Sequence, residues 1–176
     1  LEELVGEFLG DDAKITAVGI GIPGVVQDGQ VEFCEIKPLE NTDIAGLLTK
    51  KFSIEILVEN NMTFITYSLN EKLPDQAGHL AAVFFPKGSD SCVGCGFMIN
   101  GRIHHGATMM AGEVFQIAAV YGVSREKQQR MIENKKLFRQ FAAQNLITII
   151  CTVNPRNAVF MGNDITQTDL DEVCKN

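Results

Sequence analysis

Residues Ile15 to Gly24 read ITAVGIGIPG. The run from Ile15 to Ile22 is apolar, β-branched and strand-sized, and Pro23-Gly24 stops it. It reads as a buried strand followed by a turn. Upstream, Leu1, Leu4, Val5, Phe8 and Leu9 recur at helical spacing, and Gly10 closes that helix. Downstream, Val25-Val26 and Gln30 to Cys34 flank Asp28-Gly29, a hairpin signal because both turn positions must take positive φ. Thr42 to Phe52 reads as a helix capped by Thr42 or Asp43. Ile54 to Val58 reads as a strand, and Met62 to Leu73 as a helix stopped ahead of Pro74.

The second half repeats this grammar. His79 to Phe85 is a predicted strand, Pro86 to Cys92 a turn-rich loop, and Gly96 to Ile103 a hairpin around Asn100-Gly101. Ser124 to about Cys151 reads as helical, with an apolar stripe from Leu137 to Val153 that is core or part of a dimer face. Ala158 to Met161 is the last predicted strand, closed by Gly162-Asn163. Strands, hairpins and helices alternate in both halves, which predicts an α/β fold with a mixed sheet covered by helices. Ligands in such folds bind near the carboxyl ends of strands. The segments of interest are therefore Pro23-Gly24, Glu59-Asn60-Asn61, Ser89 to Gly96 and Gly112-Glu113.

Composition excludes several classes. Hydrophobic residues make up 45% of the 176 and charged residues 21%, a globular balance. Fifteen basic against 22 acidic residues leave a net charge of −7 and a pI near 4.9. That argues against this chain holding nucleic acid by itself, and against a basic membrane-surface module. No apolar run approaches the roughly 18 residues of a spanning helix. The five cysteines are 34, 92, 95, 151 and 174, and only Cys92 and Cys95 form a C-x-x-C pair. Two thiolates are half a tetrahedral metal site, so they read as reduced thiols of a cytoplasmic protein. Residues 1–10 lack the basic start of a signal peptide. The chain opens on Leu1 and not on Met, so the expectation is a fragment with an incomplete N-terminal part.

Three stretches together resemble the ROK family, which groups bacterial sugar kinases with sugar-responsive transcriptional repressors. Gly19 to Val26 resembles its G-I-G-x-P-G-x-V turn. Val58-Glu59-Asn60-Asn61 is similar to its V-E-N-D. Ile99 to Ala107, running on to Ala111-Gly112-Glu113, resembles I-N-G-x-L-x-x-G-A…A-G-E-x-G-H. Asn154-Pro155 and Val159 to Gly162 are similar to the family's N-P-x-x-I-V-L-G-G. The resemblance implies an actin-like ATPase (ribonuclease H-like) fold with mixed sheets covered by helices. It has two lobes, here 1–78 (partial) and 79–176, with a sugar held in the cleft between them. It also implies a homo-oligomer.

The departures from that pattern carry the functional expectation. The family's catalytic base is the aspartate of V-E-N-D, and Asn61 stands there. A carboxylate can accept the proton of a sugar hydroxyl during phosphoryl transfer, whereas an amide cannot; losing a positioned base costs ~10²–10⁴-fold in rate. The family's second phosphate loop, G-T-G-I-G-G-G, aligns with Asp90-Ser91-Cys92-Val93-Gly94-Cys95-Gly96. Such loops turn backbone N–H groups onto phosphate. A carboxylate at Asp90 ~4 Å from phosphate costs ~1 kcal/mol in water and ~4 kcal/mol at an effective dielectric near ~20. The first phosphate motif, D-x-G-G-T, is not in this sequence, being either upstream of Leu1 or lost, and Gln116 replaces the histidine after A-G-E that in many members also binds zinc.

The resemblance therefore implies no catalytic residue and no metal. It implies ligand contacts from Gly24, Asn41, Asn60, Asn61, Glu113 and Gln116, and a degenerate phosphate loop at Asp90, Ser91, Cys92, Gly94 and Gly96. Plain helix capping is the competing reading for Asn41, Asn60 and Asn61. His104 and His105 lie in the hairpin return and read as solvated surface, His79 opens a strand with no evident partner, and the mixed charges of Glu126 to Arg130 and Glu133 to Lys136 read as a solvated face. The expected function is a sugar-binding effector domain of a ROK-type transcriptional regulator without kinase activity. It would bind a sugar or sugar phosphate, bias lobe closure, need no cofactor, and meet DNA only through a domain outside this chain. The alternatives are an active sugar kinase using ATP and Mg²⁺, and a vestigial dimerisation scaffold.

Overall fold

A computed structural model describes residues 1–10, 14–74, 78–86, 93–162 and 165–175. Its contacts group the chain into two units, Leu1–Phe64 and Ile65–Asn176. The division falls inside a helix.

In the first unit, helix α1 (Glu2–Leu9) precedes strand β1 (Ala17–Ile22), and the hairpin β2 (Gly24–Gln27) and β3 (Gln30–Cys34) follows. A 3-10 turn (Lys37–Leu39) and the short β4 (Thr42–Asp43) lead into α2 (Ile44–Phe52), β5 (Glu55–Asn60) and the start of α3 (Asn61–Lys72). Asp28 and Gly29 take φ of 51° and 82°, the two positive values the D-G signal requires. Asp43, not Thr42, caps α2: its carboxylate accepts the Gly46 N–H at 2.8 Å. Strands β1 and β5 run parallel, from Ala17 opposite Glu55 to Ile22 opposite Asn60. Val5, Ile22, Val26, Val31, Ile44, Leu48, Ile56 and Val58 form the core. Ile15 to Ile22 read as a strand buried throughout, but only Ile22 is fully buried. Ala17, Gly19 and Gly21 are exposed because just one face of the β1–β5 pair packs on that core.

In the second unit, β6 (Leu80–Phe85), β7 (Gly94–Ile99) and β8 (Arg102–Ile103) precede α4 (Phe115–Val120), α5 (Arg125–Glu133) and α6 (Lys135–Thr152). Strand β9 (Asn157–Gly162) and α7 (Gln167–Val173) end it. The sheet order is β8-β7-β6-β9, with β6 antiparallel to β7 and parallel to β9. A central strand is shielded on both faces, so β6 is an unbroken apolar run, LAAVFF. Phe85 meets the rings of Phe138 and Phe160 edge-on at 5.2 and 5.5 Å.

The single helix expected from Ser124 to Cys151 is two. Asn134 leaves the helical region (φ −99°, ψ 112°), and its side chain accepts the N–H groups of Lys136 and Leu137, both at 3.1 Å. An Asn that can cap in this way competes with continuation of the helix. The charged side chains expected to form a solvated face, Glu126, Lys127, Arg130, Glu133, Lys135 and Lys136, are all exposed, while the two amides between them turn inward. Gln128 and Gln129 are buried, and Gln128 Nε2 donates to the carbonyls of Phe115 and Val123.

Candidate functional site

The candidate residues fall into two groups, one in each unit. In the first unit, the parallel register sets Asn60 beside Ile22, so the carboxyl ends of β1 and β5 finish together. The Pro23-Gly24 turn leaves β1 there. Gly24 is required because a Cβ would lie 2.2 Å from the Phe33 carbonyl oxygen. Asn60 Nδ2 donates to the Gly24 carbonyl at 2.7 Å, and Asn60 Oδ1 accepts the Met62 N–H at 2.7 Å. One amide thus ties the turn to the first turn of α3. Asn61, half-buried, opens α3 with its Cα against Gly21, where a Cβ would come within 3.2 Å. Gly24, Asn60 and Asn61 are therefore gathered at one point.

Asn41 is an exposed residue at φ 58°, its N–H donating to the Val31 carbonyl at 2.7 Å. It holds a left-handed turn ahead of β4 and does not cap α2, whose cap is Asp43. Cys34 was not singled out from sequence, yet its buried thiol donates to the Pro23 carbonyl at 3.4 Å and accepts the Ile36 N–H at 3.3 Å. The available signal was its hairpin register opposite Gly24.

In the second unit, the segment after β8 returns to β7. The His104 N–H donates to Phe97 O at 2.8 Å, and the Ala111 N–H to His105 O at 3.0 Å. Gly112 holds φ 104°, and a Cβ there would sit 2.0 Å from Cys95 O. The chain thus passes directly over β7 and delivers half-buried Glu113 to the start of α4. Gln116 lies three residues on, exposed, its N–H donating to Glu113 O at 3.1 Å. Glu113 and Gln116 therefore share one turn.

Gly94 and Gly96 belong to β7, paired with Phe84 and Ala82, rather than to a free loop. Asp90, Ser91 and Cys92 lie outside the described residues. Burial pushes the Cys95 thiol up to about 12, so at neutral pH it stays protonated and is neither a nucleophile nor a thiolate ligand. Among the described residues, no three His, Cys, Asp or Glu side chains are grouped to hold a metal ion, and no helix is long and apolar enough to cross a membrane.

Glycine-dependent turns at strand ends, set before helices that carry amide and carboxylate side chains, define an α/β protein with polar side chains gathered at the ends of its strands. A family model described as the ROK family matches residues 1–121, and the chain belongs to that family. Over 115 residues it is 29% identical to an N-acetyl-D-glucosamine kinase of Haemophilus influenzae (strain 86-028NP), covering 61% of this chain and 35% of that protein. A second N-acetyl-D-glucosamine kinase, from Histophilus somni (strain 129Pt), is 29% identical over 111 residues, 59% of this chain and 34% of that one. The chain spans about a third of the length of the curated relatives it matches.

Among solved structures, it resembles a ROK family glucokinase from Streptomyces griseus in complex with glucose and AMPPNP. The TM-score is 0.68 at 14% identity, covering 99% of this chain and 75% of that one. It also resembles a ROK family transcriptional regulator, a homologue of the E. coli Mlc protein, with TM-score 0.59 at 14% identity, covering 99% and 56%. These likenesses show the fold, the actin-like ATPase fold of mixed sheets and helices expected from the motifs.

Proposed function

We propose that this chain is the sugar-binding part of a ROK-type transcriptional regulator, and that it recognises a sugar or sugar phosphate without phosphorylating it. The observation that carries this reading is Asn61, which opens α3 at the carboxyl end of β5. The family's motif has a carboxylate there to take a proton from the sugar hydroxyl. An amide can donate to or accept from a hydroxyl but has no useful basicity. Hydrogen bonding of a sugar hydroxyl by Asn61 is compatible with this; proton abstraction by Asn61 is not. Asn60 is a scaffold residue in this reading, since its amide already joins Gly24 to Met62. DNA would be met through a domain outside this chain, consistent with the net charge of −7.

One observation favours a second reading, an active ATP- and Mg²⁺-dependent sugar kinase: the two curated relatives at 29% identity are both named as kinases. A single experiment separates the two. Calorimetric titration with a panel of hexoses, N-acetylhexosamines and their 6-phosphates is run beside an ATP-coupled phosphorylation assay. The regulator reading expects binding of one sugar class and no turnover. Phosphorylation of any hexose at kinase rates overturns it. Absence of binding to the whole panel leaves a dimerisation scaffold as the function.

A further inference from the structure

We infer, on the basis of the sugar-binding reading above, that Gln128 is a positioning residue for the turn that carries Glu113 and Gln116. Its side-chain amide staples the two ends of α4, and so sets the direction in which those two side chains meet the ligand.

Helix α4 spans six residues, none of them fully buried, and Val114 ahead of it makes no side-chain capping bond. So short a helix is not stable on its own hydrogen bonds. Val114, which is buried, and Ala118 attach it to the core. Apolar contact is non-directional, so it holds α4 down without setting its rotation. The directional restraint comes from α5. Gln128, 5% exposed, donates through Nε2 to the Phe115 carbonyl at 3.2 Å and to the Val123 carbonyl at 3.1 Å. An amide nitrogen carries two N–H donors, so both bonds form together. Phe115 is the first residue of α4, and Val123 lies just past its end.

The Phe115 carbonyl and the Gln116 N–H belong to one planar peptide group. That N–H donates to Glu113 O at 3.1 Å. A single chain of hydrogen bonds thus runs from Gln128 through the Phe115–Gln116 peptide to Glu113, and each bond polarises the next. Gln128 is itself anchored, because its N–H donates to Ser124 O at 2.9 Å and the Ser124 hydroxyl caps α5. The neighbouring Gln129 provides the contrast. It is 6% exposed, and its Nε2 and Oε1 have no hydrogen-bond partner among the described residues. Two adjacent buried amides therefore differ in whether they are bonded to the α4 segment.

The test compares Gln128→Met and Gln129→Met, which keep side-chain length and remove the amide, in the 176-residue chain. The Gln116 amide resonance in a ¹⁵N–¹H correlation spectrum reports the state of the Phe115 carbonyl, and calorimetry measures affinity for glucose, N-acetyl-D-glucosamine and their 6-phosphates. Gln128→Met should move the Gln116 resonance and weaken sugar binding by roughly 10-fold, as loss of about one ordinary hydrogen bond does. Gln129→Met should leave both at their wild-type values. An unmoved Gln116 resonance in Gln128→Met, an equal movement in Gln129→Met, or an affinity within about twofold of wild type in folded Gln128→Met overturns the proposal. A wild type that binds none of these sugars removes the sugar-binding reading instead, and the Gln116 resonance then decides the staple alone. If Gln128→Met does not fold, Gln128→Asn, which withdraws the amide from both carbonyls by one methylene, gives the same two readings.

Discussion

Replacing Asn60 with aspartate separates its scaffold role from ligand contact. In the wild type, Nδ2 donates to Gly24 O and Oδ1 accepts from Met62 N, both at 2.7 Å. In Asn60→Asp at neutral pH the second bond survives and gains ~0.5 kcal/mol, because a negative charge suits a helix N-terminus. The first is lost, at ~1 kcal/mol. A carboxylate oxygen then faces a carbonyl oxygen at hydrogen-bond distance, which adds ~1–2 kcal/mol in this half-buried setting.

The net loss is about 2 kcal/mol, or a urea midpoint ~1 M lower at an m-value near ~2 kcal/mol per M. Protonation restores a donor toward Gly24 O. The introduced carboxyl therefore has a raised folded pKa and binds protons more readily when folded. Its deficit is full at pH values above that raised pKa, shrinks as pH falls through it, and is smallest below the ordinary carboxylate value near ~4. Asn60→Ala should lose a similar ~2 kcal/mol with no such pH dependence. Urea titrations followed by far-UV circular dichroism at pH ~7 and ~3.5 measure all three proteins. A midpoint shift under ~0.3 M for Asn60→Asp at neutral pH, or the same shift at both pH values, refutes the bridging role.

Three other substitutions test the frame around the site. Gly112→Ala should destabilise by ~3 kcal/mol or more, since its Cβ would fall 2.0 Å from Cys95 O at φ 104°; a urea midpoint equal to wild type contradicts that close approach. Asn134→Ala should cost ~1 kcal/mol by uncapping α6, seen as a lower melting temperature that Asn134→Ser largely restores. Asp169 takes hydrogen bonds from the Thr166 hydroxyl at 2.7 Å, the Thr166 N–H, and Arg139 Nε and Nη2 at 3.1 and 3.0 Å. The Thr166 hydroxyl foremost, then its N–H and the Arg139 guanidinium, hold the carboxyl down to about 2 despite burial. Asp169→Ala should then cost ~2 kcal/mol at pH 7, discounted for a partly exposed Arg139, and lower the melting temperature by roughly 4–8 °C. Because the folded pKa is depressed, that stabilisation is complete above the ordinary value of 3.8 and fades as pH falls toward about 2. The gap between wild type and variant should close over the same window. A gap that stays constant to pH 2 contradicts the assignment.

The elements that were readable in the chain are those whose causes are local. Asp28-Gly29 and Asn100-Gly101 impose positive φ on two adjacent residues and so produce their hairpins wherever the strands go. Gly10 and Asp43 end and begin helices by conformation and capping of nearby backbone. The Thr166–Asp169 capping box at the start of α7 was equally local and was passed over, although T-x-x-D spells it out. Helix α4 was not legible, because FQIAAV is too short an apolar run to show a period.

Which residue types sit at the strand ends could be read in advance; what each one does could not. The amide of Asn60 is committed to Gly24, 36 residues away, because β1 and β5 pair in one particular register. Gly112 must be glycine because Cys95 O lies under it, 17 positions earlier in a strand held by its own sheet. Propensity acts across a few neighbouring residues, whereas these obligations arise only once separate segments are packed within van der Waals reach of each other.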